Sequence, residues 1–234
     1  MRFATRLLPG TLIARYQRFF ADVRLDSGET VTAHCPNTGS MLGCQTPGLR
    51  VWLSRADNPA RRLAYTLELV EAAPGVLVGV HTGRSNRLVE EAIRAGCPAG
   101  LAGYTQFRRE VRCQGSRIDL LLSGPGLPDC YVEVKNVTAK RGAGVALFPD
   151  AVTRRGEKHL RDLARLVALG NRGVIFFCVQ RADVQEVRPA DDIDPAYGRA
   201  LREVLAAGVE AFACRAQVST EGIVLTTPVP VRCP

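Results

Sequence analysis

Lysine is almost missing from this sequence: only Lys135, Lys140 and Lys158 stand among 31 basic residues in 234, and the other basic residues are arginine. Where a charge alone is needed the chain carries arginine, so each lysine invites a chemical reason. A lysine's pKa can be lowered by its surroundings, whereas arginine stays protonated. Long apolar runs are missing as well. The opening stretch MRFATRLLPGTLIARYQRFF has no uninterrupted apolar segment of the roughly 7–15 residues a secretory signal needs. No later segment approaches the ~20 residues of a membrane helix. A soluble, cytoplasmic protein without a membrane partner is expected. Neither a G-x-G-x-x-G turn after a strand nor a G-K-[ST] loop is present, which removes the usual phosphate cradles of metabolic enzymes. Cysteine is not scarce, at eight, but no two cysteines lie at the gap of roughly two to four residues that zinc sites favour. In a reducing compartment they serve as small hydrophobes, and Cys178 within the apolar run Val174–Val179 reads as core.

What is present points to a polyanionic partner. The formal net charge is +8, and 46% hydrophobic residues over this length suffice for one large core or two modest ones. The excess charge is spread: residues 1–83 hold nine arginines against six acids, and residues 84–234 hold 22 basic against 17 acidic groups. That distribution describes a broad positive surface rather than a basic tail.

The pattern divides the chain near Gly83. Before it come short strand-like runs at Leu12–Phe19, Ala21–Leu25, Val31–His34, Arg50–Ser54, Leu63–Val70 and Val76–Val80. Asp26–Glu29 reads as a hairpin loop, and Pro36–Ser40 and Asp57-Asn58-Pro59 are breakers. Five or six short strands in some eighty residues fit a small all-β barrel of OB type, with an SH3-like barrel as the alternative. After Gly83 the texture is α/β. Leu88, Val89, Ala92 and Ile93 share a helix face behind Ser85, a candidate N-cap, and Gly96 and Pro98 stop the helix. Strands are expected at Gln106–Arg112, Ser116–Leu122, Cys130–Val137 and Val145–Phe148, then a long helix from Thr153 to Leu169. Val174–Val179 reads as a central strand covered on both faces, followed by a helix at Pro195–Ala207 and a strand at Val209–Val218. The expectation is thus two domains, 1–83 and 84–234, the second a mixed central sheet flanked by helices.

The chemistry concentrates in Arg117-Ile118-Asp119-Leu120-Leu121-Leu122 and Tyr131-Val132-Glu133-Val134-Lys135, a charged intrusion into two apolar strands. Alternation along a strand puts Glu133 and Lys135 on one face, about 7 Å apart at Cα. A hairpin loop at Ser123–Pro128 would bring Asp119 alongside. Two converging carboxylates are the hard ligands that Mg²⁺ or Mn²⁺ prefers, with water and substrate phosphate completing the shell. A neighbouring lysine can orient the attacking water and offset phosphate charge. The bland alternative is a Glu–Lys surface pair on an edge strand. The arrangement resembles the PD-(D/E)XK nuclease superfamily at Asp119, Glu133 and Lys135, with Ile118 where the pattern has proline. That resemblance implies a further acid from the preceding helix. Glu90 is favoured over Glu91, which rotates towards Arg87 and Arg94.

Around this core, Asn136 and Thr138 are candidate phosphate contacts. Arg154, Arg155 and Lys158 form a basic first turn of the long helix, where backbone N–H groups also attract phosphate, with His159 beside them. In His34-Cys35-Pro36-Asn37-Thr38-Gly39-Ser40-Met41, a Cys–His nucleophile is disfavoured because adjacent strand residues face opposite ways. The segment reads instead as a turn that packs the barrel on the second domain, or that contacts backbone phosphate through Asn37, Thr38 and Ser40. Tyr16, Phe19, Phe20, Trp52 and Tyr65 are either barrel core or base-stacking groups.

The blocks CPNTGSM, NRLVEEAI, YVEVKNVT and ALFPDAVTRRGEKHL together resemble the sugar fermentation stimulation protein A family over essentially the whole chain. The resemblance implies an N-terminal OB-like domain, a C-terminal PD-(D/E)XK-like domain and DNA binding; the family name reflects a phenotype and implies no sugar chemistry. Two functions follow as expectations. One is a Mg²⁺-dependent (or Mn²⁺-dependent) endonuclease acting on double-stranded or branched DNA, with a homodimer compatible. The other is a non-catalytic DNA-binding transcriptional regulator that retains the nuclease-like fold.

Overall fold

The computed structural model describes residues 1–58, 60–113 and 115–234, so Pro59 of the expected breaker lies outside the described residues. The first half is a sheet of β1 (Leu8–Tyr16), β2 (Phe20–Leu25), β3 (Thr30–His34), β4 (Arg50–Arg55), β5 (Tyr65–Ala73) and β6 (Val76–Gly79), in the order β3-β2-β1-β4-β5-β6. A parallel pairing of Ala33 with Tyr65 and His34 with Thr66 joins β3 to β5, closing five strands into a barrel. Closure in that order is the OB arrangement, which removes the exposed edges that short strands otherwise carry. Alternation explains most of the filling: Leu12, Ala21, Val23, Val31, Ala33, Val51 and Leu53 point inwards and are buried, and a register shift in β5 against β4 lets both Leu67 and Val70 join them.

The limits of β1 differ most from expectation, and β5 also runs three residues beyond its expected end. The first expected strand runs to Phe19, but β1 ends at Tyr16 because Gln17 and Arg18 take φ values of 48° and 63° in a three-residue hairpin loop, 17–19. Neither residue type advertises a left-handed turn, which usually falls to Gly, Asn or Asp. β1 also begins at Leu8, since Leu8–Thr11 pair with Arg50–Leu53 of β4.

A short 3₁₀ turn (Thr82–Arg84) leads into α1 (Ser85–Arg94). Ser85 is inside this helix and not its N-cap: Arg84 holds the cap position, no side chain caps the end, and the Ser85 hydroxyl donates to Asn136 Oδ1 at 3.0 Å. After a second 3₁₀ turn come β7 (Gln106–Cys113), β8 (Ser116–Gly124), β9 (Leu127–Val137), β10 (Lys140–Arg141), β11 (Val145–Phe148), α2 (Arg154–Ala168), β12 (Arg172–Val179), β13 (Glu186–Pro189), α3 (Pro195–Ala206), β14 (Glu210–Val218) and β15 (Ile223–Pro228). The main sheet has the order β15-β14-β12-β9-β8-β7, parallel through β9, β12 and β14 and antiparallel outside them. A small sheet of β10, β11 and β13 flanks it.

Helices cover both faces of the main sheet, and the two cores divide accordingly. On one face, Leu88, Val89, Ala92 and Ile93 of α1 pack with Leu120, Val132, Val134 and Phe176. On the other, Leu160 and Leu163 of α2 and Tyr197, Leu201 and Val204 of α3 pack with Ile175, Phe177 and Val179. β12 is therefore apolar on both sides, as its sequence implies. Cys178 is fully buried there, and burial pushes its thiol up to about 12.

One side chain sets the starts of both rear helices. Asp194, 4% exposed, caps α3 by accepting from Tyr197 N at 3.0 Å, and its second oxygen accepts from Thr153 N at 2.8 Å. Thr153 in turn caps α2, its hydroxyl accepting from Gly156 N at 3.0 Å. Replacing Asp194 with alanine removes a cap and leaves a second N–H without an acceptor, a cost of about 2 kcal/mol. Denaturant unfolding of Asp194→Ala is expected to show that loss; an unchanged midpoint would disprove the shared cap.

Candidate active site and nucleic-acid interface

Paired register between β8 and β9 runs from Leu122–Cys130 to Leu120–Val132. Beyond that point Asp119 Oδ2 accepts from Val134 N at 2.8 Å, so a side chain takes the place of a strand carbonyl. Asp119 Oδ1 accepts from Asn86 Nδ2 of α1 at 3.0 Å. Glu133 lies one strand over, on β9 between β8 and β12, and is 3% exposed. This interior position overturns the edge-strand alternative.

Two donors meet on one oxygen of Glu133. Lys135 Nζ donates to Oε1 at 2.8 Å, and His159 Nδ1 of α2 bonds to the same atom. Arg155 Nε donates to His159 Nε2 at 3.3 Å, so that ring nitrogen accepts and the ring proton sits on Nδ1, aimed at Glu133. Glu133 Oε2 is buried with no hydrogen-bond partner. The electrostatics split the two acids. Burial pushes Asp119 above the usual carboxylate range, and the Glu133 charge adds to this. Burial acts the same way on Glu133, but the bond from His159 and the Lys135 charge outweigh it and hold this carboxyl low. Asp119 therefore carries the strain of placing two like charges together.

Glu90 does not join this pair. Its carboxylate takes Arg94 at 2.9 Å and Arg109 at 2.6 Å, and burial is outweighed by these guanidiniums, so its pKa is lowered. The physical reason is the arginine on β7, which the helix periodicity alone does not reveal. Glu91 pairs with Arg87 at 2.7 Å. Asn86, one turn before Glu90, is the α1 residue that reaches Asp119. Glu110 also approaches and was not anticipated: it sits within β7 at φ 56°, with Oε1 3.5 Å from the Asn86 amide and Oε2 on Arg117 at 2.6 Å. No local sequence signal marks a glutamate that takes a left-handed conformation inside a strand. Among the described residues, no group of three or more His, Cys, Asp or Glu side chains is arranged to hold one ion. The centre offers two carboxylates, as a site that leaves positions for water and phosphate does.

The remaining expected contacts separate into two groups. Asn37, Thr38, Asn136 and Thr138 come together, with Arg18 and Thr153, around a cleft of about 290 Å³ between the barrel and the second half. The segment at 36–41 packs across this boundary, since Met41 N donates to Asp150 Oδ2 at 2.9 Å. Cys35, immediately before it, is fully buried, in line with a packing role. Ser40 does not line the cleft. On α2, Arg154 and Arg155 are exposed at the first turn, while Lys158 ties the helix down, donating to Asp162 at 2.7 Å and to Ser116. His159 is 6% exposed and faces Glu133, so it belongs with the acids and not with the exposed basic turn.

The chain matches the family described as the sugar fermentation stimulation protein RE domain over residues 83–222, and the SfsA N-terminal OB domain over residues 13–80. Among curated relatives, the sugar fermentation stimulation protein homolog of Alkalilimnicola ehrlichii is 60% identical and both chains are covered completely. That of Geobacter sulfurreducens is 62% identical, with 96% of each chain covered. Among solved structures, that of Pyrococcus furiosus SfsA in complex with Ca²⁺ superposes with a TM-score of 0.89 at 26% identity, over 99% of this chain and 98% of that one. With both halves matched in order and along nearly their full length, the chain belongs to the sugar fermentation stimulation protein family.

Proposed function

We propose that this protein is a metal-dependent DNA endonuclease whose centre is Asp119, Glu133 and Lys135. In this reading residues 1–83 grip nucleic acid and residues 84–234 carry the chemistry. The observation that carries it is Glu133 Oε2, a carboxylate oxygen buried without a donor beside a second carboxylate. Leaving such an atom unmet costs free energy of about 1–3 kcal/mol, more for a charged group, unless a ligand meets it. The set of two hard oxygen donors fits Mg²⁺ or Mn²⁺, and a Ca²⁺ complex of the Pyrococcus furiosus relative supports a hard divalent cation.

Asp119 and Glu133 would hold the ion. When bound, such an ion polarises a phosphoryl oxygen and supplies hydroxide at neutral pH. Lys135, on the same strand face, fixes Glu133 through Oε1 and stands ready to offset charge on the phosphate. His159 holds the same oxygen from α2, so Oε2 is turned away from both donors. Asn86 and the Val134 amide fix Asp119. The net charge of +8 suits a phosphate backbone. The withdrawal of Glu90 onto Arg94 and Arg109 favours the second reading, a non-catalytic DNA-binding regulator, because it leaves the centre with two acids.

Gel assays with plasmid, linear and branched DNA in Mg²⁺, Mn²⁺ or EDTA separate the two. Lys135→Ala is expected to lower cleavage by about 10²–10³-fold, and Asp119→Ala to abolish it, with DNA binding retained in both. Cleavage by Asp119→Ala at the wild-type rate would sink the assignment, and binding without cleavage in any metal would establish the regulator. Asp119→Asn removes one ligand charge while keeping an oxygen for the Val134 amide. Saturating divalent metal should raise the wild-type Tm and leave this variant unmoved. Equal Tm values for both proteins in EDTA and in metal would argue against an ion between Asp119 and Glu133.

A further inference from the structure

The β1–β2 hairpin places two aromatic rings in solvent. Gln17 and Arg18 form its left-handed tip, and the flanking Tyr16 and Phe19 are 40% and 47% exposed. By contrast, Trp52 and Tyr65 of the barrel pack against apolar clusters. Tyr16 stacks on Phe20 at 5.5 Å between centroids and donates its hydroxyl to Asp22 at 3.2 Å, so its ring is held flat at the surface. Exposing two large rings at a hairpin tip forgoes the burial that normally stabilises them.

The tip is fastened to the cleft between the halves. Arg15 donates to Arg18 O at 3.3 Å, to Asn37 O at 2.8 Å and to Gly39 O at 2.9 Å, so one guanidinium joins the hairpin to the 36–41 segment. Arg18 lines the cleft, and its guanidinium has no hydrogen-bond or ion-pair partner among the described residues. Inside, Asn37 is 4% exposed, and its Oδ1 is committed to Gly39 N at 2.9 Å. Its amide nitrogen has no hydrogen-bond partner among the described residues, and Asn37 lines the cleft. Asn136 opposite is fixed through Oδ1 by Ser85 at 3.0 Å and Gln180 at 2.5 Å. One carboxylate, Asp150, also lines the space, and one of its oxygens is occupied by Met41 N. None of Asp119, Glu133, Lys135 and His159 lines the cleft, which meets the elements that carry Lys135 and His159. Asn136 follows Lys135 on β9, and Thr153 caps the helix that brings His159 to Glu133.

We propose that hairpin tip and cleft form one track for an unpaired strand of DNA. Bases stack on Tyr16 and Phe19, the backbone passes Arg18, and one nucleotide enters the cleft, where the Asn37 amide donates to it. Exposed aromatic faces with an adjacent cation are the usual means of holding unpaired bases, and a cleft of about 290 Å³ admits a group of nucleotide size and excludes a duplex. This inference rests on the DNA reading above and refines it from any DNA to a single-stranded segment.

The test is fluorescence anisotropy in EDTA, where binding is read without cleavage. The probes are a blunt duplex, the same duplex with a single-stranded overhang, and the unpaired strand alone. Wild type is expected to bind the overhang and the unpaired strand at least tenfold more tightly than the blunt duplex. In Tyr16→Ala/Phe19→Ala that ratio should fall to about one, since each stacked base contributes around tenfold. Asn37→Asp keeps the oxygen that Gly39 N needs but puts a negative charge where the donor was, and should weaken overhang binding about tenfold more than it weakens blunt-duplex binding. Equal wild-type affinity for all three probes, or an undiminished preference in the double variant, would overturn the track. A wild type that binds no DNA would end both this and the DNA reading. Overhang preference in a protein that never cleaves would uphold the track and leave only the nuclease assignment to fall.

Discussion

The buried carboxylate of Glu133 is the constraint around which the second half is arranged. A carboxylate on an interior strand of a mixed sheet must find donors or pay for desolvation. Here they come from its own strand, through Lys135, and from the helix packed on that face, through His159. The position of α2 is therefore not free. Its start is fixed by Thr153 and Asp194, so that His159 arrives at Glu133 just over one turn later. The parting of β8 from β9 serves the same centre, because it lets Asp119 take a backbone N–H that a continuous ladder would have consumed. Both cores of the main sheet then hold these strands at fixed spacing, α1 from one side and α2 with α3 from the other.

The barrel is positioned by polar contacts as much as by packing. Glu68, 1% exposed within β5, accepts from Ser54 at 2.8 Å and from Arg84 at 2.7 Å, which binds the barrel wall to the turn that starts α1. Gly79 N donates to Gln180 O at 2.9 Å, so β6 touches the end of β12. Gly39 lies so close to the Asp150 carboxylate that a β-carbon there would collide with it. This is why a glycine occupies that place in the CPNTGSM block.

Much of this architecture can be read along the chain, and the misses have physical causes. Strong alternation gave the barrel strands, and the unbroken run Val174–Val179 gave the central strand, because burial on one or both faces writes directly into hydrophobicity. The helix faces of α1 and α2 were legible for the same reason. The hairpin at Gln17–Arg18 was not, since its turn residues carry no left-handed signature. Asp119, Glu133 and Lys135 stand out as charge within apolar strands, but their neighbours do not. Glu90 was assigned from helix phase, which says which way a residue faces and not that Arg109 waits there on β7. His159 looked like part of an exposed basic turn, yet it lies on the helix face turned to the sheet. Glu110 and Asn86 reach the centre from elements far apart in sequence, and such convergence leaves no local trace.

The segment before β1 gives the molecule a mechanical property. Phe3 N donates to Glu221 O and Ile223 N donates to Met1 O, and Arg2 bridges to Gly222, so residues 1–3 lie along the approach to β15. The barrel is thus pinned to the second half on both of its flanks, by this segment before β1 and by the 3₁₀ turn after β6. Gly79 N on Gln180 O and Met41 N on Asp150 add further ties at separate places. A body on one linker can swing like a door, whereas one tied at several separated points keeps its place until a tie releases.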